Sequence, residues 1–318
     1  MRSIRVVLFW IVLALVTSYV LSVKTADKLE NHKNYHLLPK DCGVSYTDRI
    51  IGGKTAALGQ YPWLARLGFL LPGCTTKVLY RCGGALINNL YVLTAAHCTT
   101  DLPSIRCPTN DKDTTFILGS IILGEYNTDD NPDCEDDVCA EPIQHFKPKR
   151  IFVHPSYNKP QYANDVSLIR LNRKAKLNGW VSPICLPRGK LLTKHYVGYL
   201  MEVAGWGATN VTKPNTSKLP MFVKLPTLDT PKCLRSFNVK LSINSTSQLC
   251  VGGEENKDSC GGDSGGPLMH VETNGDSPRY YALGLVSFGV KHCGKKDKPA
   301  IYTRIAAFMH WILEHMAP

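Results

Sequence analysis

Short apolar runs recur along most of this chain and are separated by residues that favour turns. Runs of this length predict buried β-strands. The clearest of them are Tyr91-Val92-Leu93, Val166 to Leu171, Val203-Ala204 and Tyr281 to Phe288. Helical spacing is scarce until the end of the chain, where it relates Phe308, Trp311, Ile312 and Met316. The pattern predicts an all-β fold that ends in a helix.

The N-terminus follows a different pattern. Arg2 and Arg5 precede an almost wholly apolar run from Val6 to Val20. Such a run is typical of a secretory signal peptide and is short for a membrane-spanning helix. We therefore expect residues 1–22 to be removed as a signal peptide and the protein to be secreted and extracellular, with no membrane partner. The alternative is an uncleaved membrane anchor.

Residues 23–49 are polar and contain one cysteine. This composition does not predict a hydrophobic core, so we interpret the segment as a propeptide or linker. Residues 50–318 form a chain long enough to bury a sizeable core. We expect them to form the functional domain.

The formal net charge of +11 raises the question of nucleic-acid binding. The lysines are scattered and no nucleic-acid motif accompanies them, so we exclude that class. Acidic surfaces such as glycosaminoglycans or microbial walls remain open as partners. Three Asn-x-Ser/Thr sequons predict surface glycosylation of a secreted chain, at Asn210, Asn215 and Asn244.

The strongest chemical signal is a serine among four glycines, in the stretch from Cys260 to Pro267. Glycines let the backbone pass close to a substrate carbonyl, which suits Ser264 as a nucleophile. A serine hydroxyl also needs a base and a group that orients the base. His97, in Thr94-Ala95-Ala96-His97-Cys98, and Asp165, at the head of an apolar run, supply candidates. Each motif alone is common by chance, but their order is that of chymotrypsin and not of the α/β-hydrolases.

The region from Ile50 onwards resembles the trypsin/chymotrypsin family of serine endopeptidases. The motifs behind this resemblance are Ile50-Ile51-Gly52-Gly53, Cys82-Gly83-Gly84-Ala85-Leu86, the segment around His97, Gly205-Trp206-Gly207, the segment around Ser264, and Ile301-Tyr302-Thr303-Arg304. Within the family the chain is most similar to arthropod clip-domain proteases. That narrower match rests on Leu37-Leu38-Pro39-Lys40-Asp41-Cys42-Gly43, Leu123-Gly124-Glu125, Asp133-Cys134-Glu135 and Ile184-Cys185-Leu186-Pro187. A clip domain itself is not evident.

The resemblance implies two antiparallel six-stranded β-barrels with a C-terminal helix and the catalytic residues in the cleft between them. His97, Asp165 and Ser264 would form the triad, and the amides of Gly262 and Ser264 would bind the oxyanion. Asp258 would lie at the base of a pocket for Arg or Lys, lined by Ser287, Gly289 and Ala300. This chain departs from the family pattern at two positions, because Ala300 replaces a glycine and Phe288 replaces a tryptophan. No cofactor is implied for catalysis.

The resemblance also implies a zymogen. Cleavage after Arg49 would free the ammonium of Ile50, which would pair with Asp263 and order the loops around Ser264. The alternative is an ordinary surface loop at Arg49. The implied partners are an upstream trypsin-like activating protease, protein substrates cut after Arg or Lys, and serpin-type inhibitors.

Twelve cysteines in an exported chain predict disulfides, and the absence of Cys-x-x-Cys pairs disfavours zinc. Spacing alone does not determine their pairing. The resemblance implies Cys82 with Cys98, Cys233 with Cys250, Cys260 with Cys293, and Cys42 with Cys185. We assign the remaining four as Cys134 with Cys139 in one acidic loop and Cys74 with Cys107 across two surface insertions.

Eight carboxylates lie between Glu125 and Glu141. A solvated acidic loop and a structural calcium site explain this density equally well, since Ca²⁺ takes six to eight oxygen ligands. The family places a calcium in the corresponding loop. The candidate ligands are Glu125, the carbonyls near Asn127 and Asp130, and Asp133.

The sequence therefore predicts a secreted, trypsin-like serine endopeptidase in an arthropod extracellular fluid. Its clip-like features favour an immune cascade that leads to melanisation or Toll-type signalling, with venom as another setting. A digestive trypsin is an alternative, although the extra loop disulfides and the long propeptide argue against it. A catalytically silent homologue acting as a binding cofactor, or an adhesive extracellular protein, are alternatives from other classes.

Overall fold

The structure is a computed structural model that describes residues 29–45, 55–208, 216–237, 243–273, 277–289 and 293–318. The predicted signal peptide, the cleavage point at Arg49 and Ile50, and the sequons at Asn210 and Asn215 lie outside the described residues. No helix in the described part of the chain is long and apolar enough to cross a membrane.

Most regular structure in these ranges is β. The strands, numbered in chain order, are β1 Leu64–Leu71, β2 Thr75–Asn88, β3 Tyr91–Thr94, β4 Ser104–Arg106, β5 Asp113–Thr115, β6 Ile117–Leu123, β7 Cys134–Glu135, β8 Val138–Cys139, β9 Gln144–Phe146, β10 Pro148–Val153, β11 Ser167–Leu171, β12 Leu200–Gly205, β13 Met221–Leu228, β14 Gln248–Gly252, β15 Pro267–Thr273, β16 Pro278–Phe288 and β17 Pro299–Arg304. The α-helices are α1 His97–Thr100, α2 Thr230–Ser236 and α3 Met309–His315. Three short 3₁₀ segments are Tyr35–Leu37, Gly189–Leu192 and Ile305–Phe308. The all-β prediction with a C-terminal helix is confirmed.

The two large sheets differ in how they close. The C-terminal sheet is a closed barrel of six strands, β12-β13-β14-β17-β16-β15. The N-terminal sheet has seven strands in the order β10-β11-β3-β2-β1-β6-β9, so the expected ring of six is not closed by hydrogen bonds. Its edge strands β9 and β10 are consecutive in the chain, with only Lys147 between them. The chain itself therefore links the two edges where a ladder of hydrogen bonds is missing.

Residues 29–45, part of the predicted propeptide or linker, pack against the domain. Leu29, Leu38 and Cys42 are buried. The side-chain amide of Asn34 donates to Leu313 O at 2.9 Å and to Met316 O at 2.8 Å. These carbonyls lie at the C-terminal end of α3, where few amides of the helix remain as donors, although Leu313 O also accepts from the Met316 amide at 3.3 Å. Composition missed this contact because the few apolar residues of the segment pack on a core that the rest of the chain supplies.

Six disulfides connect the cysteines in the pairs that we assigned. They are Cys42–Cys185, Cys74–Cys107, Cys82–Cys98, Cys134–Cys139, Cys233–Cys250 and Cys260–Cys293. The first attaches residues 29–45 covalently to the domain. No cysteine is left free.

Candidate active site

His97 and Asp165 are brought together by two paired strands. β3 leads into His97, the first residue of α1, and β11 follows Asp165. The strands are antiparallel with Thr94 opposite Ser167, so the side chains beyond these strand ends meet. His97 Nδ1 lies 2.8 Å from Asp165 Oδ2, and the His97 amide donates to Asp165 Oδ1 at 2.9 Å. The carboxylate thus fixes both the backbone and the ring of the histidine.

Asp165 is itself held by the C-terminal barrel. The Ser287 hydroxyl donates to Asp165 Oδ2 at 2.5 Å, and the Thr303 hydroxyl donates to Asp165 O at 2.7 Å. Sequence reasoning assigned Ser287 only to the substrate pocket and missed Thr303. The sequence offered little reason to expect the contact between Thr303 and Asp165, because Thr303 stands out only as a member of the Ile301–Arg304 motif.

The electrostatics of this pair suit a base and its orienting acid. Burial by itself raises the pKa of Asp165, but the hydrogen bonds from His97 and Ser287 outweigh it and the pKa is lowered. Burial lowers the pKa of His97, yet the hydrogen bond and charge of Asp165 raise it above its usual value. Asp165 is therefore ionised at neutral pH and favours a proton on the imidazole.

Ser264 lies at the junction of the two sheets. Its carbonyl accepts from the Gly83 amide at 2.8 Å, and Gly83 follows Cys82, whose disulfide partner Cys98 adjoins His97. The next residue, Gly265, has φ +76°, and a Cβ there would lie 2.1 Å from Thr94 Oγ1. Only glycine allows this close approach of the nucleophile segment to β3. Within the described ranges, no hydrogen bond joins the Ser264 hydroxyl to His97.

Asp263 carries a buried carboxylate next to the proposed oxyanion site. The residue keeps some exposed surface, but its carboxylate packs closely, because a Cβ on Gly205 or Gly207 would lie 2.4 Å from it. It accepts from the Gly207 amide at 2.9 Å and the Cys260 amide at 3.0 Å. Among the residues that the structure describes, no cationic side chain pairs with it. Burial raises the pKa of Asp263 to about 6.

Asp258 lies in the same segment. Its Oδ2 accepts from the Gly294 amide at 3.0 Å, whereas its Oδ1 is buried and has no hydrogen-bond partner among the described residues. Burial raises the pKa of Asp258. A buried acceptor without a donor is unfavourable, so this oxygen suits a cationic ligand.

The walls of the predicted pocket come from three strands. Ala300 on β17 pairs with Val251 on β14, and a Cβ built on Gly289 would lie 3.2 Å from the Ala300 methyl group. This methyl therefore reaches the opposite wall. The ring of Phe288 on β16 stacks on that of Tyr162, with centroids 4.4 Å apart, a contact that sequence reasoning missed.

The four candidate calcium ligands form internal contacts in the structure. Glu125 pairs with Arg66 at 2.8 Å, and the two oxygens of Asp133 accept from the amides of Tyr126 and Asn127 at 2.8 and 2.9 Å. The Asn127 carbonyl accepts from the Asp130 amide at 3.0 Å, and the Asp130 carboxylate accepts from the Asn127 side chain. Over the described ranges, the only cluster of three or more metal-ligand side chains is Cys82, His97 and Cys98, which contains a disulfide. The candidate carboxylates therefore do not converge on one point, as the ligands of a preformed calcium site would.

The third sequon lies in the described part of the chain. Asn244 is exposed, and its side-chain oxygen accepts from the amide and hydroxyl of Thr246 at 3.0 and 2.7 Å. An exposed acceptor asparagine is compatible with the predicted glycosylation.

Comparisons with known proteins cover most of the chain. A family model described as Trypsin matches residues 50–312. The CLIP domain-containing serine protease HP8 of Bombyx mori is 38% identical over 291 residues, which are 88% of this chain and 73% of that protein. The Spaetzle-processing enzyme of Drosophila melanogaster is 38% identical over 285 residues, 87% of this chain and 68% of that protein. The solved structure of the Drosophila Grass clip serine protease of the Toll pathway has a TM-score of 0.73 at 29% identity, and covers 92% of this chain and 78% of that one.

Proposed function

The chain belongs to the trypsin family of serine proteases, and we propose that it is an active, secreted endopeptidase that cuts proteins after Arg or Lys. The observation that carries this proposal is the pair His97–Asp165, joined at 2.8 Å beside the segment that bears Ser264. A histidine held in this way can accept a proton from a serine hydroxyl and return it to a leaving amine.

In the proposed reaction, Ser264 attacks the scissile carbonyl and His97 takes the hydroxyl proton. Asp165 keeps the proton on Nδ1, so that Nε2 faces the nucleophile, and stabilises the imidazolium that forms. The amides of Gly262 and Ser264 donate to the oxyanion. His97 then protonates the leaving amine, and water releases the acyl group by the same steps in reverse.

The basic preference is supported by Asp258. Its Oδ1 has no hydrogen-bond partner in the described part of the chain, so an Arg or Lys side chain would supply both a donor and a compensating charge. The methyl of Ala300 narrows the space available to that side chain. We infer that it reduces turnover of the wider guanidinium more than that of the ammonium.

We further propose that the chain is a zymogen activated by cleavage after Arg49 by another trypsin-like protease. The support comes from Asp263, whose buried carboxylate has only amide donors in the described residues. A new ammonium at Ile50 would neutralise it. Since Cys42 is bonded to Cys185, residues 29–45 would stay attached after the cut.

The setting that we propose is an arthropod immune cascade, in which this enzyme cuts another protein at a few sites and serpin-type inhibitors limit it. Two similar proteins are named for Spaetzle processing and for the Toll pathway. Melanisation is the related alternative. A digestive role would instead predict broad cleavage after many basic residues.

A peptide-library profile of the chain cut after Arg49 tests the proposal. We expect cleavage after Arg and Lys, labelling by a serine-directed fluorophosphonate, and loss of both in Ser264→Ala. Asp258→Ser should abolish the basic preference while labelling persists. A folded, correctly cut chain that neither cleaves nor reacts with the probe would refute an enzyme and favour the binding-cofactor alternative.

A further inference from the structure

Arg66 carries a positive charge into the acidic loop from the centre of the N-terminal sheet. It lies on β1, between Gly83 of β2 and Ile122 of β6. Its Nη1 donates to Glu125 Oε2 at 2.8 Å. The Arg66 side chain is 13% exposed and that of Glu125 is 5% exposed. This is therefore a largely buried ion pair rather than a surface contact.

Aromatic rings fix the guanidinium. Its central carbon lies 4.3 Å from the centroid of the Tyr80 ring and 5.4 Å from that of Trp206. Trp206 in turn donates from its indole nitrogen to the Tyr126 carbonyl at 3.0 Å, next to Glu125 in the chain. The position of the cation is thus set on several sides by groups that do not depend on a metal.

Other carboxylates of the loop also have partners within the protein. Asp129 pairs with Lys218, and Glu141 pairs with Lys176 at 2.9 Å. Glu135 Oε2 accepts from the Leu58 amide at 2.8 Å, and its Oε1 accepts from the Tyr126 hydroxyl at 3.1 Å. These three carboxylates therefore meet lysine, amide and hydroxyl donors of the protein itself.

One oxygen atom of the loop could favour a bound metal ion. Glu125 Oε1 is buried and finds no hydrogen-bond partner within the described ranges. Calcium, however, needs six to eight oxygens around one point. Asp133 accepts two backbone amides, and no cluster of carboxylate oxygens forms in the described residues. A single free oxygen beside a guanidinium does not make a cation site, because the two cations would repel each other.

We propose that Arg66 is the built-in counter-ion of this loop, so that the loop is held in place by the Arg66–Glu125 pair and does not require calcium. The pair also lies close to the activation machinery, because Arg66, Tyr80, Trp206 and Asp263 line one cavity. Arg66 thus contacts the loop through Glu125 and also lines the cavity that Asp263 lines. This inference concerns stability and holds whether or not the chain is an active protease.

Thermal unfolding of the full chain tests the proposal. For the wild type we expect the same midpoint in a chelator and in millimolar calcium, and no stoichiometric calcium binding by titration calorimetry. Arg66→Gln should lower the midpoint by roughly 5–15 °C, since it leaves a buried carboxylate unpaired. Arg106→Gln is the matched control, because Arg106 pairs with Asp111 on the surface, where both side chains are mostly exposed.

The double variant Arg66→Gln/Glu125→Gln should recover part of the loss, because it removes the unpaired charge. If Arg66→Gln does not fold, Glu125→Gln takes its place and must lose more stability than Asp111→Asn. Calcium that raises the wild-type midpoint, with the increase abolished in Glu125→Gln, would overturn the proposal. The proposal would also be overturned if Arg66→Gln lowered the unfolding midpoint no more than Arg106→Gln does.

Discussion

The buried carboxylate of Asp263 should make the uncleaved chain less stable as the pH rises. Its pKa in the folded chain is about 6, against 3.8 for an ordinary aspartate, because burial penalises the charged form. The amides of Gly207 and Cys260 offset only part of that penalty. A group whose pKa is raised on folding contributes stability that is fully present below pH 3.8 and is lost as the pH passes about 6.

The size of the effect follows from the shift. Each pKa unit corresponds to about 1.4 kcal/mol, so a shift from 3.8 to about 6 amounts to about 3 kcal/mol above pH 6. Asp263→Asn removes the titration but keeps one oxygen for an amide. The lost acceptor costs about 1–3 kcal/mol at every pH. The informative quantity is therefore the pH dependence of the difference between the two proteins.

Urea unfolding of the intact chain, with its disulfides oxidised, measures this difference. Between about pH 4 and 7, the unfolding free energy of the wild type should fall relative to Asp263→Asn by about 2–3 kcal/mol. Asp111→Asn, at an exposed position, serves as the control. A difference that stays flat over this range would show that a cation already neutralises Asp263 before cleavage, and the proposed activation step would lose its physical basis.

Three further predictions concern the site and its supports. For the cleaved enzyme, kcat/KM should fall as the pH drops through a value above 6.5, because the pKa of His97 is raised and the imidazole must be neutral to act as a base. The same pH–rate profile should show that Asp165→Asn lowers kcat about 10⁴-fold. Ala300→Gly should raise kcat/KM for Arg over Lys substrates about tenfold, and an unchanged ratio would show that the methyl does not limit the pocket. Asn34→Ala removes two hydrogen bonds to the end of α3 and should cost about 1–3 kcal/mol in urea unfolding. Asn110→Ala also removes two hydrogen bonds, but both are exposed to solvent, so it should cost less.

The parts of this protein that were readable from sequence are those whose chemistry constrains neighbouring positions. Gly265 is glycine because β3 leaves no room for a Cβ, so the segment around Ser264 forms a recognisable run. The strand at Tyr91–Thr94 and the terminal helix follow from local apolar spacing. The pairing of the cysteines came from the family resemblance, since spacing alone left it open.

Tertiary structure alone decided the contacts between residues far apart in the chain. No residue close to Arg66 in the sequence predicts its ion pair with Glu125. Likewise, nothing in the polar segment around Asn34 predicts its hydrogen bonds to the end of α3. The family resemblance assigned Ser287 to the substrate pocket, yet its hydroxyl donates to Asp165. A sequence motif reflects the requirements of residues that are close together in the chain. The partner of a buried charge or of a helix-end carbonyl instead depends on which surfaces come into contact when the sheets pack, and local composition does not determine that contact.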